Sequence, residues 1–387
     1  MLKTIFTALL SAIIGGLIAI LFVFFGLLGL DEESNGVTFK ESKAPVDAEA
    51  ASGGDSSTVR QVYSEDGPGV VSVDVASKEL GPGGGSGFVV DEGGHIVTNQ
   101  HVVEGAESVS VRFASGAREP AEVVGEDPST DVAVIKVDAP HSVLKPLTFG
   151  DSDSARVGDP VIAIGNPLNV GLSVTTGIVS GTGRPIEAPN RYTIDGAIQT
   201  DAAISSGNSG GPLLDAGGSV IGINSQVASA GSQGVAQGVG FAVPVNTVKS
   251  VVEQLITTGE VVHGYIGVRM FEIGIDELRA YTTLSEEELR DEYGFPASGA
   301  IVSEVSPGGP ADEVEIKGGE TQDIEGVEVP VGDVITKLEG KPVSSADDVI
   351  EVVNARKPGD RLKLTVVSPN EEPRSVEVTL ESQPDDA

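Results

Sequence analysis

Between Val59 and Val245 the chain is written in short apolar runs separated by Gly, Pro, Asp and Asn, and no other feature constrains its fold more. Gly69-Val-Val-Ser-Val-Asp-Val, Gly87-Phe-Val-Val, Val109-Ser-Val-Arg-Phe, Val132-Ala-Val-Ile-Lys-Val, Val161-Ile-Ala-Ile and Val220-Ile-Gly-Ile are rich in β-branched residues and carry no helical period. Strands at this spacing, with no strong helical pattern between them, predict an all-β barrel or sandwich. A helix then closes the region. Val248, Val251, Val252, Leu255 and Ile256 share one face, Asn246 is placed to cap the start and Gly259 to stop the end.

A second unit follows from residue 262 to about residue 382. Its strand-like stretches are Tyr265-Ile-Gly-Val-Arg-Met, Ala300-Ile-Val-Ser-Glu-Val, Asp333-Val-Ile-Thr-Lys-Leu and Leu362-Lys-Leu-Thr-Val-Val. A helix is expected over 345–356, where Val349, Ile350 and Val353 share a face, and another over 284–292 inside an acidic insertion.

Ahead of both units, Ile5 to Leu30 contains no charged residue. At about 1.5 Å per residue this run exceeds the ~30 Å hydrocarbon core, and it is longer than the apolar part of a signal peptide. It reads as a membrane anchor. Lys3 precedes it and Asp31, Glu32 and Glu33 follow, which puts the N-terminus in the cytoplasm and the rest outside. The expected domains are therefore a cytoplasmic start and transmembrane anchor over 1–30, a flexible acidic tether over 31–57, a catalytic domain over 58–260 and a smaller domain over 261–383.

Composition removes several functions. The formal net charge is −34, so nucleic acid is not an expected partner. With no cysteine there is no disulfide, thiolate metal site or Cys nucleophile. No metal is expected: Asp151-Ser-Asp-Ser-Ala-Arg has Arg156 where a calcium loop needs Gly, and no paired-His spacing exists. No cofactor is expected either.

Three islands carry chemistry. Ile96-Val-Thr-Asn-Gln-His101-Val-Val ends a strand in polar residues and presents His101; Thr130-Asp131-Val-Ala-Val-Ile-Lys puts Asp131 at the mouth of a buried strand. The third is Gln199-Thr-Asp-Ala-Ala-Ile-Ser-Ser-Gly207-Asn208-Ser209-Gly210-Gly211-Pro212-Leu. A Ser hydroxyl needs an adjacent base to become a nucleophile, and acyl transfer needs backbone N–H donors aimed at the developing oxyanion. Ser209 is the expected nucleophile, His101 its base, Asp131 the group that fixes the imidazole, and the backbone amides of Gly207 and Ser209, aided by Asn208, the oxyanion hole. Each residue alone has a plainer reading: a structural histidine, a turn-capping aspartate, a glycine loop. Ser209 also fits the G-x-S-x-G elbow of α/β-hydrolases, which needs a later Asp and His, and only His263 follows.

These segments, with Gly165-Asn-Pro and Gly240-Phe-Ala-Val-Pro, resemble the HtrA/Deg family of chymotrypsin-like serine proteases with one C-terminal PDZ domain, over about residues 60–380. The resemblance implies a mainly β fold: an N-terminal transmembrane helix, a double six-stranded β-barrel protease domain and a small α+β PDZ domain. It implies an ATP-independent serine endopeptidase that cleaves misfolded or regulatory extracytoplasmic proteins, in the periplasm or at the cell exterior, commonly as a homotrimer. The alternatives are a holdase chaperone or PDZ scaffold with incidental proteolysis, and a lipase or esterase. Ala203 and Ile204 are the expected S1 pocket residues, accepting small aliphatic side chains. Gly264-Tyr265-Ile266-Gly267-Val268 resembles the carboxylate-binding loop of PDZ domains, with Val349 and Ile350 lining the groove for peptide C-termini. The acidic insertions at 273–297 and 314–331 would repel such a carboxylate if they lay beside it. Loops 182–198, with Arg184 and Arg191, and 224–240 are expected to switch the site between inactive and active arrangements.

Overall fold

The structure is a computed structural model that describes residues 39–41, 56–78, 81–166, 171–190, 192–205, 207–225, 238–271 and 273–384. The expected anchor and most of the expected tether lie outside these residues. Among the described residues no helix is long and apolar enough to cross a membrane.

Alternation of apolar residues builds the first barrel. A helix, α1 (Ser56–Asp66), leads into β1 (Val70–Ser77), β2 (Gly81–Val89), β3 (His95–Thr98), the short helix α2 (Gln100–Val103), β4 (Ser108–Arg112), β5 (Arg118–Asp127) and β6 (Val132–Val137). These strands close in the order β1-β2-β3-β6-β5-β4. Along β1 the pleat sends Val71 and Val73 into the barrel's own core, while Val70 joins a second core shared with the rest of the domain.

The second barrel uses β7 (Thr148–Phe149), β8 (Pro160–Gly165), β9 (Ser173–Glu187), β10 (Thr193–Thr200), β11 (Pro212–Asp215), β12 (Ser219–Ser225) and β13 (Gly240–Pro244). The order is β11-β8-β9-β10-β13-β12, a β11–β12 pairing closes the ring, and β7 adds parallel to β12. The expected double six-stranded architecture is present. The stretch 182–198 is not mainly a loop: β9 continues to Glu187, β10 begins at Thr193, and register slips between Ile194 and Thr200 hide the alternation. Arg191 lies outside the described residues, as does 226–237 of the other expected loop. Phe39, inside the expected tether, stacks edge-on to Phe149 at 4.8 Å, and the Lys40 carbonyl accepts from the Phe149 amide at 2.7 Å.

Helix α3 (Val245–Thr258) buries Val248, Val251, Val252 and Leu255 in the shared core and ends at Gly259, whose φ is +81°. Truncating Leu255 there would cost about 2–5 kcal/mol. Its start differs from expectation. Pro244 precedes the helix, and Asn246 sits within the first turn, donating to Asp151 Oδ1 at 2.8 Å.

The PDZ unit comprises β14 (Gly264–Tyr265), β15 (Val268–Met270), α4 (Ile275–Tyr281), α5 (Glu286–Tyr293), β16 (Ala300–Val305), α6 (Pro310–Glu313), β17 (Thr321–Ile324), β18 (Val327–Pro330), β19 (Val334–Leu338), β20 (Lys341–Pro342), α7 (Ala346–Asn354), β21 (Arg361–Val367), β22 (Arg374–Thr379) and β23 (Glu381–Ser382). The main sheet runs β15-β16-β19-β21-β22, while β14 pairs with β23 and β17 with β18. The run Tyr265–Met270, expected as one strand, breaks at Gly267, where φ is +75°. The two acidic insertions become α4, α5 and the β17–β18 hairpin. They bury Ile275, Leu278, Leu289, Phe295, Ile324 and Val329 in a small core completed by Ile301 of β16 and Val334 of β19.

Candidate active site

His101 comes from α2, Asp131 from the tight turn between β5 and β6, and Ser209 from the loop between β10 and β11. Asp131 is fully buried and holds a left-handed backbone, φ +55°. Aspartate tolerates that region better than most residues, and the surroundings fix it there. Asn99 Nδ2 donates to the Asp131 carbonyl at 2.9 Å, the His101 amide to Oδ1 at 3.2 Å and Ser225 Oγ to Oδ2 at 2.8 Å. The imidazole Nδ1 of His101 lies 2.8 Å from Oδ1 and 3.0 Å from Oδ2. A carboxylate beside Nδ1 favours the tautomer protonated there, which leaves the Nε2 lone pair as a base.

Ser209 is itself buried, and its backbone is tied to the first barrel: the Ser86 amide donates to the Ser209 carbonyl at 2.8 Å. Ser86 Oγ donates to the Gly207 carbonyl and accepts from the Asn166 amide, both at 2.8 Å. Gly210 is obligatory here. Its φ is +82°, and a Cβ would come within 2.2 Å of the Ser86 carbonyl. The sequence motif Gly207-Asn-Ser-Gly-Gly is therefore a docking surface for β2 as much as a flexible loop.

Of the two amides expected to receive the oxyanion, that of Ser209 is not free. The Ser205 carbonyl accepts from the Asn208 amide at 3.0 Å, the Ser209 amide at 3.2 Å and Ser209 Oγ at 3.3 Å. The Asn208 side chain locks this turn, accepting from the Ser205 amide at 2.8 Å and donating to the Ala203 carbonyl at 2.9 Å. Asn208 thus holds the loop with its side chain, and its amide points inward with that of Ser209. No hydrogen bond joins His101 Nε2 to Ser209 Oγ. The imidazole of His101 and the Asp131 carboxylate are assembled, whereas the hydroxyl and amide of Ser209 are turned toward a backbone carbonyl.

Ala203 is exposed, and Ile204 lies against Gly240, where a Cβ would meet Ile204 Cγ1 at 2.4 Å. Ser86, Asn99, Ser205 and Ser225 were not singled out by the sequence. Of these only Asn99 carried a signal, its place in Thr98-Asn-Gln-His101.

Tyr265, Ile266, Gly267, Val268, Val349 and Ile350 all line one cavity of about 1140 Å³. No residue of the two acidic insertions lines it. Its other wall is the second barrel, including Glu187, Tyr192 and Thr193. Cations (Arg269, Arg356, Lys357) and anions (Glu304, Asp347, Glu351) share the rim. Burial pushes Asp195 up, with Glu351 and Asp347 adding to it, and burial likewise pushes Asp347 up.

Two β-barrels with His, Asp and Ser at their junction, followed by a sheet-and-helix module, define a trypsin-like peptidase carrying one PDZ domain. Residues 85–223 match the family described as trypsin-like peptidase domain and residues 264–380 the PDZ domain family. The solved structure of the HtrA-type protease AlgW with tripeptide is 31% identical, with a TM-score of 0.66, covering 84% of this chain and 97% of that one. The serine endoprotease from Yersinia pestis is 30% identical at a TM-score of 0.60, with 84% and 98% covered. The chain belongs to the HtrA family of serine proteases. Protease Do-like 1, chloroplastic, of Arabidopsis thaliana is 38% identical over 80% of this chain and 66% of that protein. The periplasmic pH-dependent serine endoprotease DegQ of Escherichia coli is 35% identical over 77% and 59%. The chain thus spans about half to two-thirds of the curated relatives it matches.

Proposed function

We propose that this protein is a serine endopeptidase acting on extracytoplasmic proteins, with Ser209 as nucleophile, His101 as general base and acid, and Asp131 as the group that orients and stabilises the imidazole. The observation that carries the reading is the buried Asp131 carboxylate held against His101 Nδ1 at 2.8 Å, beside a serine loop fastened across the barrel junction. Ser209 Oγ attacks the scissile carbonyl as His101 Nε2 takes its proton. The tetrahedral oxyanion is received by the amides of Gly207 and Ser209, and His101 returns the proton to the leaving amine. Water then repeats the sequence on the acyl-enzyme. This requires the Ser205 carbonyl to swing away from the Ser209 amide, so the described arrangement is a resting one.

Ala203 and Ile204 favour small aliphatic side chains in S1, in keeping with the absence of an acidic residue at those two positions. The Tyr265–Val268 loop, with Val349 and Ile350, receives a peptide C-terminus. The two acidic insertions line no part of this cavity, which supports that assignment. Residues 1–30 anchor the chain in the membrane with the catalytic part outside, 31–57 tether it, 58–260 form the protease domain, 261–383 form the PDZ domain, and the working form is a homotrimer. The periplasmic naming of relatives supports the compartment; the uncharged Ile5–Leu30 run supports the anchor. The test is casein degradation and fluorophosphonate labelling by the full chain in detergent, wild type beside Ser209→Ala. Degradation that persists in Ser209→Ala would end the proposal.

A further inference from the structure

Both chain ends of the PDZ domain meet on one turn of the first barrel. β14 and β23 pair with each other, Gly264 opposite Ser382, and the Gln383 amide donates to the His263 carbonyl at 3.1 Å. The two residues flanking this ribbon then reach the turn that runs from Asp127 to Thr130. His263 Nε2 lies 2.9 and 3.0 Å from the two carboxylate oxygens of Asp127, and Gln383 Nε2 donates to Ser129 Oγ at 2.6 Å.

The turn is rigid from within. The Thr130 amide donates to the Asp127 carbonyl at 3.3 Å, the Ser129 amide to Asp127 Oδ1 at 3.2 Å and Thr130 Oγ1 to Asp127 Oδ2 at 2.5 Å. Asp127 and Thr130 are both buried. The carboxylate of Asp127 is thus the hub of the turn, and among the described residues His263 is its one hydrogen-bond partner from outside it. The approach is close on the preceding strand too: a Cβ on Gly125 would lie 2.5 Å from the Gly259 carbonyl, so the chain leaving α3 is pressed against β5. The residue next after Thr130 is Asp131, in its left-handed conformation. Any rotation of the turn is delivered directly to the group that holds the imidazole, because a single peptide links them and the Asp131 backbone is confined to a small allowed region.

We infer that His263 is a positioning residue for the His101–Asp131 pair: by gripping Asp127 it fixes the turn that presents Asp131, so that seating of the PDZ ribbon sets the competence of the base. The inference rests on the serine-protease reading above. It assigns His263 no contact with substrate, so its removal acts on turnover rather than on substrate binding.

The experiment compares wild type, His263→Ala, His263→Gln and Gln383→Ala as full chains in detergent. It measures kcat and KM on a peptide substrate, the rate of fluorophosphonate labelling of Ser209, and Tm. The expected result for His263→Ala is a fall of about tenfold in kcat and in labelling, with KM within about twofold. His263→Gln, whose amide N–H still reaches toward Asp127, recovers most of the loss. A His263→Ala enzyme with wild-type kcat overturns the inference. So does a loss that tracks a lowered Tm and persists undiminished in His263→Gln, which is what mere loss of folding contacts produces. Should His263→Ala not fold, Gln383→Ala, which removes one partly exposed amide from the same turn, decides on the same two readings. A wild type whose Ser209 never labels overturns the protease reading itself, whereas a labelled wild type beside an equally labelled His263→Ala overturns only the link.

Discussion

The two halves of the active site are built to different standards. Around Asp131, three donors besides the imidazole fix the residue, two on its carboxylate and one on its backbone carbonyl, and the residue is fully buried. On the second-barrel side, three donors converge on the backbone carbonyl of Ser205, and two of them, the amide and hydroxyl of Ser209, are groups that the proposed acyl transfer needs free. The difference is instructive energetically. Stripping hydrogen-bond partners from a buried carboxylate leaves its charge uncompensated and costs several kcal/mol, whereas exchanging neutral hydrogen bonds costs about 1 kcal/mol each. A resting protease that keeps the costly half assembled and turns over the inexpensive half can be switched by a modest ligand.

Three substitutions probe that contrast. Ser209→Ala removes the nucleophile and is expected to lower kcat/KM by at least about 10⁴-fold, with Tm unchanged. Residual turnover much above that level in a casein assay would mean that Ser209 is not the attacking group. Ser225→Ala withdraws a donor from Asp131 Oδ2 and is expected to lower kcat by about tenfold, because a buried acceptor left short of a partner costs about 1–3 kcal/mol. Single-turnover kinetics check it, and an unaltered rate would show that the assembled half has slack. Asn208→Ala cuts both side-chain bonds that lock the resting turn, so basal fluorophosphonate labelling is expected to rise about fivefold at unchanged KM, equivalent to a net loss of about 1 kcal/mol from the resting arrangement. A fall in labelling would make Asn208 a support of the active arrangement instead.

The smallest change touches neither half. Burial pushes Asp66 up to about 6, with Glu65 and Asp215 adding and Lys40 opposing. The folded protein then keeps a proton that the unfolded chain has released, so stability is highest below about pH 4 and declines as pH rises toward about 6. Asp66→Asn removes that decline. Its Tm is expected to exceed that of wild type by about 2–4 °C at pH 7, equivalent to about 1 kcal/mol after discounting for solvent screening of a half-exposed group, and to match it near pH 3. Calorimetry across that range checks the crossing point.

The His101, Asp131 and Ser209 islands stood out because the three occur together, each with a plainer reading alone, and most strands were legible from runs of Val and Ile. What escaped lies in long-range contacts between ordinary residues. Ser225 reaches Asp131 across 94 positions and Ser86 reaches Gly207 across 121, and nothing local marks either hydroxyl. The hairpin of β9 and β10 was read as loop because Gly181-Thr-Gly-Arg-Pro and the bulged return strand break the alternation. Helix α1 was missed because its sequence, SSTVRQVYSED, buries only Val62. Asn246 was expected at the cap because its side chain suits that position, but Pro244 already fixes an extended entry and Asn246 bonds to Asp151 instead. The inward-facing amides were beyond sequence altogether, since the same glycine-rich loop serves either orientation.

Because β14 and β23 lie side by side, everything from residue 264 to residue 382 leaves the protease and rejoins it at a single doorway. Closely spaced termini are the condition under which one domain can be spliced into or out of another. A foreign module grafted between residues 263 and 383 would need only a matching pair of neighbouring ends, and the barrels would inherit whatever that module senses.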